Sequence, residues 1–144
     1  MAKPYKVDWK IRFVNRMMTR MIRWNVAPPR TYLLTVTGRK TGKKYANPVT
    51  LVEQKETRWL VSPYGESNWV KNTRAAGEVS LFAGGKTDTF KIRELNERDS
   101  APILKEYITL EGFVRPYFDI KYNSDVEDFV KIAHKHPVFK LEAA

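Results

Sequence analysis

The chain has 144 residues, 42% hydrophobic and 12% aromatic, enough to bury one core and too short for two. It contains no cysteine, which excludes a disulfide framework and thiolate chemistry, and no apolar run approaches the roughly 20 residues that span a bilayer. The formal charge of +10 asks for an anionic partner, which could be nucleic acid, anionic lipid or a small polyanion; charge alone does not choose among them.

Residues 8–24 read as an amphipathic helix with Asp8 at its N-cap. On a helical wheel Ile11, Val14, Met18, Met21 and Ile22 share one side, and Phe13, Met17 and Trp24 widen the stripe. Arg12, Arg16, Arg20 and Arg23 fall opposite. Such a helix packs on a sheet with solvated arginines, lids an apolar site, or makes peripheral contact with a membrane surface. Pro28 and Pro29 end it and force an extended exit.

Strands follow at 32–37 and 45–53 around a glycine turn, with a third at 58–62. Ser67 suits the N-cap of a short helix through Ala76, with Gly77 closing it. A second hairpin is expected from 79–83 and 87–95 around Gly84 and Gly85. Asn96 caps a helix over 97–110, another is expected over 125–134, and 138–141 suits a last strand. Six short strands with interspersed helices fit a small closed or split barrel, because closure removes the edges they would expose.

The turn after the first strand, Thr35-Val36-Thr37-Gly38-Arg39-Lys40-Thr41-Gly42-Lys43-Lys44, reads as an anion site or as a solvated hairpin turn. As an anion site, its glycines let the backbone come close, its hydroxyls and amides donate to phosphate oxygens, and Arg39 and Lys40 bring charge. His134 and His136 lack the spacing of a metal site and read as surface or strand-flanking residues; no metal is expected. No serine sits in a G-x-S-x-G elbow. No finger, helix-turn-helix or ribonucleoprotein motif supports nucleic-acid binding. A chain without hard chemistry of its own can borrow it from a cofactor. The N-terminus lacks the apolar core of a secretion signal, so a cytoplasmic location is expected, membrane-associated if the basic helix meets lipid.

TVTGRKTG at 35–42, Asn47-Pro48, Val61-Ser62-Pro63-Tyr64-Gly65, the segment Asn68-Trp69-Val70-Lys71-Asn72-Thr73-Arg74-Ala75-Ala76-Gly77 and the closing His136-Pro137-Val138-Phe139-Lys140-Leu141 resemble, in this order, the deazaflavin-dependent nitroreductase family. The resemblance implies an α+β fold, a six-stranded split β-barrel like that of flavin-binding pyridoxamine-phosphate oxidases, with residues 1–30 as N-terminal helix and linker and 31–144 as the deazaflavin-binding domain. It implies the 8-hydroxy-5-deazaflavin coenzyme F420 as cofactor, whose phosphate and glutamate tail suit the basic balance. A small electron-poor acceptor is implied too: an activated alkene of lactone or coumarin type, a quinone or a nitro compound.

By the same resemblance Arg39, Lys40, Thr41, Gly42 and Lys44 would hold the anionic part of the cofactor, and Asn47, Pro48 and Val61 to Gly65 would border its ring system. Asn68, Trp69 and Asn72 would touch it, with Arg74 a further anion contact. Many relatives place another arginine where this chain has Tyr45, and the loop Pro63-Tyr64-Gly65-Glu66 is shorter than in the best-known members. Tyr107, Phe113, Tyr117, Phe118 and Tyr122 form an aromatic-rich segment that serves core packing or stacks on a substrate; relatives place tyrosines there, which makes Tyr117 the candidate proton donor. A non-catalytic carrier of the cofactor, or a flavin or haem protein of the same barrel type, is the alternative. Relatives occur as monomers and homodimers.

Overall fold

The computed structural model describes residues 9–144, so the expected cap at Asp8 lies outside the described residues. Helix α1 (Trp9–Arg23) precedes strands β1 (Thr31–Thr37), β2 (Lys44–Gln54) and β3 (Thr57–Val61). Helix α2 (Asn68–Ala76) leads to β4 (Glu78–Ala83) and β5 (Lys86–Glu94), and then come α3 (Glu97–Leu110), α4 (Val126–Ile132) and β6 (Val138–Ala143). Every neighbouring pair of strands is antiparallel, and the order β1-β2-β3-β6-β5-β4 closes on itself through β1 and β4. Closure gives each strand two partners, so no sheet edge is left open.

Side chains alternate across a strand, and here both sides of the wall near β3 are covered. Leu51, Leu60 and Phe139 meet Leu34, Leu81 and Val79 inside the barrel. Their sequence neighbours Val52, Val61 and Val138 pack outward with Leu104, Ile108 and Phe129 of the helical layer. Two adjacent apolar residues on each of these strands therefore serve two cores. The register agrees, setting Leu51 opposite Leu60 and Leu60 opposite Phe139.

The helices end for local reasons. Gly77 takes a left-handed φ of 76° and its N–H returns to the Thr73 carbonyl, closing α2. Asn96 accepts from the Asp99 amide at 2.8 Å, starting α3. Two details depart from the expected elements. A 3-10 turn at Gly112–Tyr117 carries the aromatic segment, and the helix expected over 125–134 stops at Ile132 and tightens into a 3-10 turn at Ala133–Lys135.

Helix α1 lies against the barrel with Ile22 buried and Ile11, Asn15 and Met18 half-buried. The expected apolar stripe is only partly used. Trp9, Phe13, Met17 and Trp24 remain in solvent, Trp24 with 77% of its surface exposed. None of the helices among the described residues is long and apolar enough to cross a membrane.

Candidate active site

Two cavities flank Trp69. The first, of about 430 Å³, is lined by Gly38, Arg39, Lys40, Thr41, Tyr45 and Asn47 from the first hairpin and by Asn68, Trp69 and Asn72 from α2. The second, of about 270 Å³, is lined on one side by Ile11, Val14 and Met18 of α1, and on the other by Pro48, Val61, Pro63, Tyr64, Trp69, Tyr107 and Phe113. Adjacent residues of β2 point to opposite faces, and Asn47 accordingly lines the first cavity while Pro48 lines the second.

The polar cavity is built on a tight loop. The Gly38 amide donates to the Lys43 carbonyl at 2.7 Å and the Gly42 amide to the Gly38 carbonyl at 3.0 Å, with Gly42 at a φ of 72°. Gly38 has a second reason to lack a side chain. A Cβ there would lie 2.5 Å from the Tyr45 ring. That ring covers Gly38 and shares a hydrogen bond of 3.0 Å with the Thr41 hydroxyl, which also accepts from the Lys43 amide at 3.2 Å.

Asn72 fixes this loop from below. It is only 6% exposed, and its Oδ1 accepts from both the backbone N–H of Arg39, at 3.0 Å, and the Arg39 guanidinium, at 2.8 Å. A buried amide that lost these donors would be left unsatisfied, so the pair constrains where the Arg39 charge can sit. Lys40 and Thr41 are exposed at the loop tip. Two cations and a hydroxyl thus converge on one open pocket, a donor set that suits a phosphate or carboxylate group.

Arg74 and Lys44 stand apart from that set. Neither lines the polar cavity. The Arg74 guanidinium is shared between Glu66 and Glu94, reaching Glu94 at 2.7 Å; these two partners raise its already high pKa, and Arg74 holds the Glu66 carboxyl below its ordinary value. Its charge is already paired, and it ties the loop before α2 to β5.

The segment 62–65 forms the far wall of the apolar cavity. Pro63 and Tyr64 line it, whereas Ser62 turns inward and donates to the Gly65 carbonyl at 2.6 Å. Behind this wall lies His136, which flanks β6 as one of the two expected readings has it and, against the other, is not a surface residue. His136 is 4% exposed and its ring stacks on Phe118 at 3.8 Å, while His134 is exposed. Burial lowers its pKa to about 4 against the raising effect of hydrogen bonds with the backbone of Ser62 and Pro63, so the imidazole is neutral at physiological pH. No local pattern signals this burial, because a His-Pro pair before a strand has no apolar period of its own.

Tyr117, the expected proton donor, does not line either cavity; it meets Tyr64 edge-on, with ring centroids 4.8 Å apart. Tyr107 and Phe113 of the aromatic segment do reach the apolar cavity. Among the described residues no group of three or more histidines and carboxylates could hold a metal ion.

Residues 9–123 match the family model of the F420H(2)-dependent quinone reductases. None of the curated proteins matches. Among solved structures, a domain-swapped dimer is similar at 21% identity with a TM-score of 0.57, over 92% of this chain and 99% of its own. The F420-H2 dependent reductase FDR-A is similar at 25% identity with a TM-score of 0.52, over 79% and 95% respectively. A 5-nitroimidazole antibiotic resistance protein of Bacteroides thetaiotaomicron shares the fold at 15% identity and a TM-score of 0.51, over 85% and 77%.

Proposed function

Because the chain belongs to the F420H2-dependent quinone reductase family, and is therefore an oxidoreductase that uses coenzyme F420, we propose that it reduces a quinone or similarly electron-poor ring held in the apolar cavity. The observation that carries this reading is Trp69, which lines both cavities and so joins a cationic compartment to an apolar one. Bound F420H2 supplies a hydride, a two-electron donor that the protein itself lacks.

Arg39, Lys40 and Thr41 would hold the anionic part of the cofactor, and Asn47, Asn68 and Trp69 would border its ring. Their fit rests on the open, cation-lined loop described above. Asn72 serves as a positioning residue, since its oxygen is already committed to Arg39. The apolar walls exclude water and orient a planar acceptor, which is how a protein of this kind contributes to rate. Activated alkenes and nitro compounds are electron-poor in the same sense and belong to the same acceptor screen.

Helix α1 extends the proposal to a membrane surface. Its sequence contains no acidic residue; Arg12, Arg16, Arg20 and Arg23 lie exposed beside the solvent-facing Trp9, Phe13 and Met17, and the opposite flank lids the apolar cavity. Such a surface suits anionic headgroups. Cosedimentation with anionic vesicles, lost with neutral vesicles or in high salt, is the expected behaviour; equal partition into both would remove this part of the reading.

The test of the main reading is a fluorescence titration with F420, followed by mixing with F420H2 and a soluble naphthoquinone. Arg39→Ala/Lys40→Ala is expected to weaken cofactor binding by about 100-fold or more, since each charge-assisted contact contributes about 1.5–3 kcal/mol. A wild-type protein that binds F420 yet does not oxidise F420H2 in the presence of any acceptor would be a carrier.

A further inference from the structure

Tyr107 is where the apolar cavity reaches the core. It projects from α3, is 3% exposed, packs beside Leu104, Val114 and Phe118, and also lines the cavity next to Tyr64. Among the described residues no hydrogen bond reaches its hydroxyl. Nor is that oxygen walled in by protein, as Thr73 Oγ1 and His136 Nδ1 are. The hydroxyl therefore opens on the cavity at its inner end, in a largely apolar wall to which Thr31, Thr50, Asn15 and Lys10 also contribute. Buried phenols normally find a partner, and one left open toward a cavity points to a partner that arrives with a ligand.

We propose that Tyr107 donates a hydrogen bond to the acceptor's carbonyl oxygen and stabilises the oxyanion formed there. This rests on the reading of the apolar cavity as the acceptor compartment. When the hydride and its electron pair form a new carbon–hydrogen bond at a ring carbon conjugated to the carbonyl, the carbon–carbon π pair shifts, the carbon–oxygen π bond opens and negative charge collects on that carbonyl oxygen. A fixed O–H aimed at that oxygen gains strength as the charge develops, which lowers the barrier. The proton that completes the hydroquinone comes from water, and Tyr107 keeps its own. Burial, with Tyr64 and Glu111 adding smaller effects, raises the phenol pKa far above its ordinary value, so a tyrosinate in this place is costly. Tyr117, edge-on to Tyr64, then serves to hold the Tyr64 ring in the wall.

Tyr107→Phe removes the hydroxyl and keeps the ring that fills the core. The expected result is a fall of roughly 10- to 100-fold in kcat for a naphthoquinone, as for loss of one oxyanion donor, with F420 affinity unchanged. Independently of turnover, the quinone should bind the cofactor-free protein severalfold more weakly in calorimetry after Tyr107→Phe. Tyr117→Phe should leave kcat within about twofold. Because Tyr107 keeps its proton, the pH profile of kcat should be flat from pH 7 to 9 in wild type and variant alike. A Tyr107→Phe protein with wild-type kcat and quinone affinity would overturn the assignment. If instead the wild type binds F420 and neither binds nor reduces any quinone, the acceptor compartment itself falls, and the role of Tyr107 with it.

Discussion

The two cavities beside Trp69 are built in opposite ways. The polar one is made by two short stretches, the loop and strand from Gly38 to Asn47 and one face of α2, and its functional groups stand at the surface. The apolar one is assembled from α1, β2, the wall at Val61, Pro63 and Tyr64, α3 and the 3-10 turn, and its walls are continuous with the helical core. The difference teaches where each will be sensitive. A site on an exposed loop can lose binding while the fold stays intact, whereas a site made of core residues is coupled to stability.

The sharpest way to separate the two is pH. His136 supports the apolar wall from behind and is neutral in the folded state, with its pKa lowered to about 4 from an ordinary 6.5. The unfolded chain therefore binds more protons between these values, and stability falls as pH drops through that window and is fully retained above it. The size is of order 3 kcal/mol. His136→Phe, which keeps a ring against Phe118, is expected to flatten the dependence of Tm on pH between 7 and 4.5; an unchanged slope would show that His136 is not the group responsible.

A smaller effect is expected on the other side of Trp69. Asn72→Ala frees the Arg39 guanidinium and amide from their shared acceptor, and F420 affinity should fall about tenfold, near the 1–2 kcal/mol of such hydrogen bonds. Quinone binding to the cofactor-free protein should not change. If both affinities fell together, the cavities would not be separable.

The smallest change tests the odd residue of the polar cavity. Tyr45→Arg places a cation where the chain has a 42% exposed ring. At that exposure a new charge contact contributes about 0.2–1 kcal/mol, so F420 binding should tighten by at most about fivefold, more in low salt than in high. Weaker binding would mean that Tyr45, through its contacts with Gly38 and Thr41, is needed to shape the loop.

How much of this was legible in the sequence follows from how local each feature is. Period-two strands, caps at Asn96 and Gly77, and the glycine turn with its cations are set by residues a few positions apart, so the elements and the cationic loop could be read directly, and the ordered motifs pointed to the barrel and its cofactor. Arg74 also looked available in sequence, because its partners Glu66 and Glu94 are 8 and 20 positions away. Only tertiary packing decided that this arginine was paired, that Asn72 grips Arg39 across 33 positions, that His136 was buried, and that Tyr107 rather than Tyr117 lines the apolar cavity. Barrel closure and the docking of α1 and α3 bring these groups together, and the entropy of closing such long loops is recovered from burial that no local pattern displays.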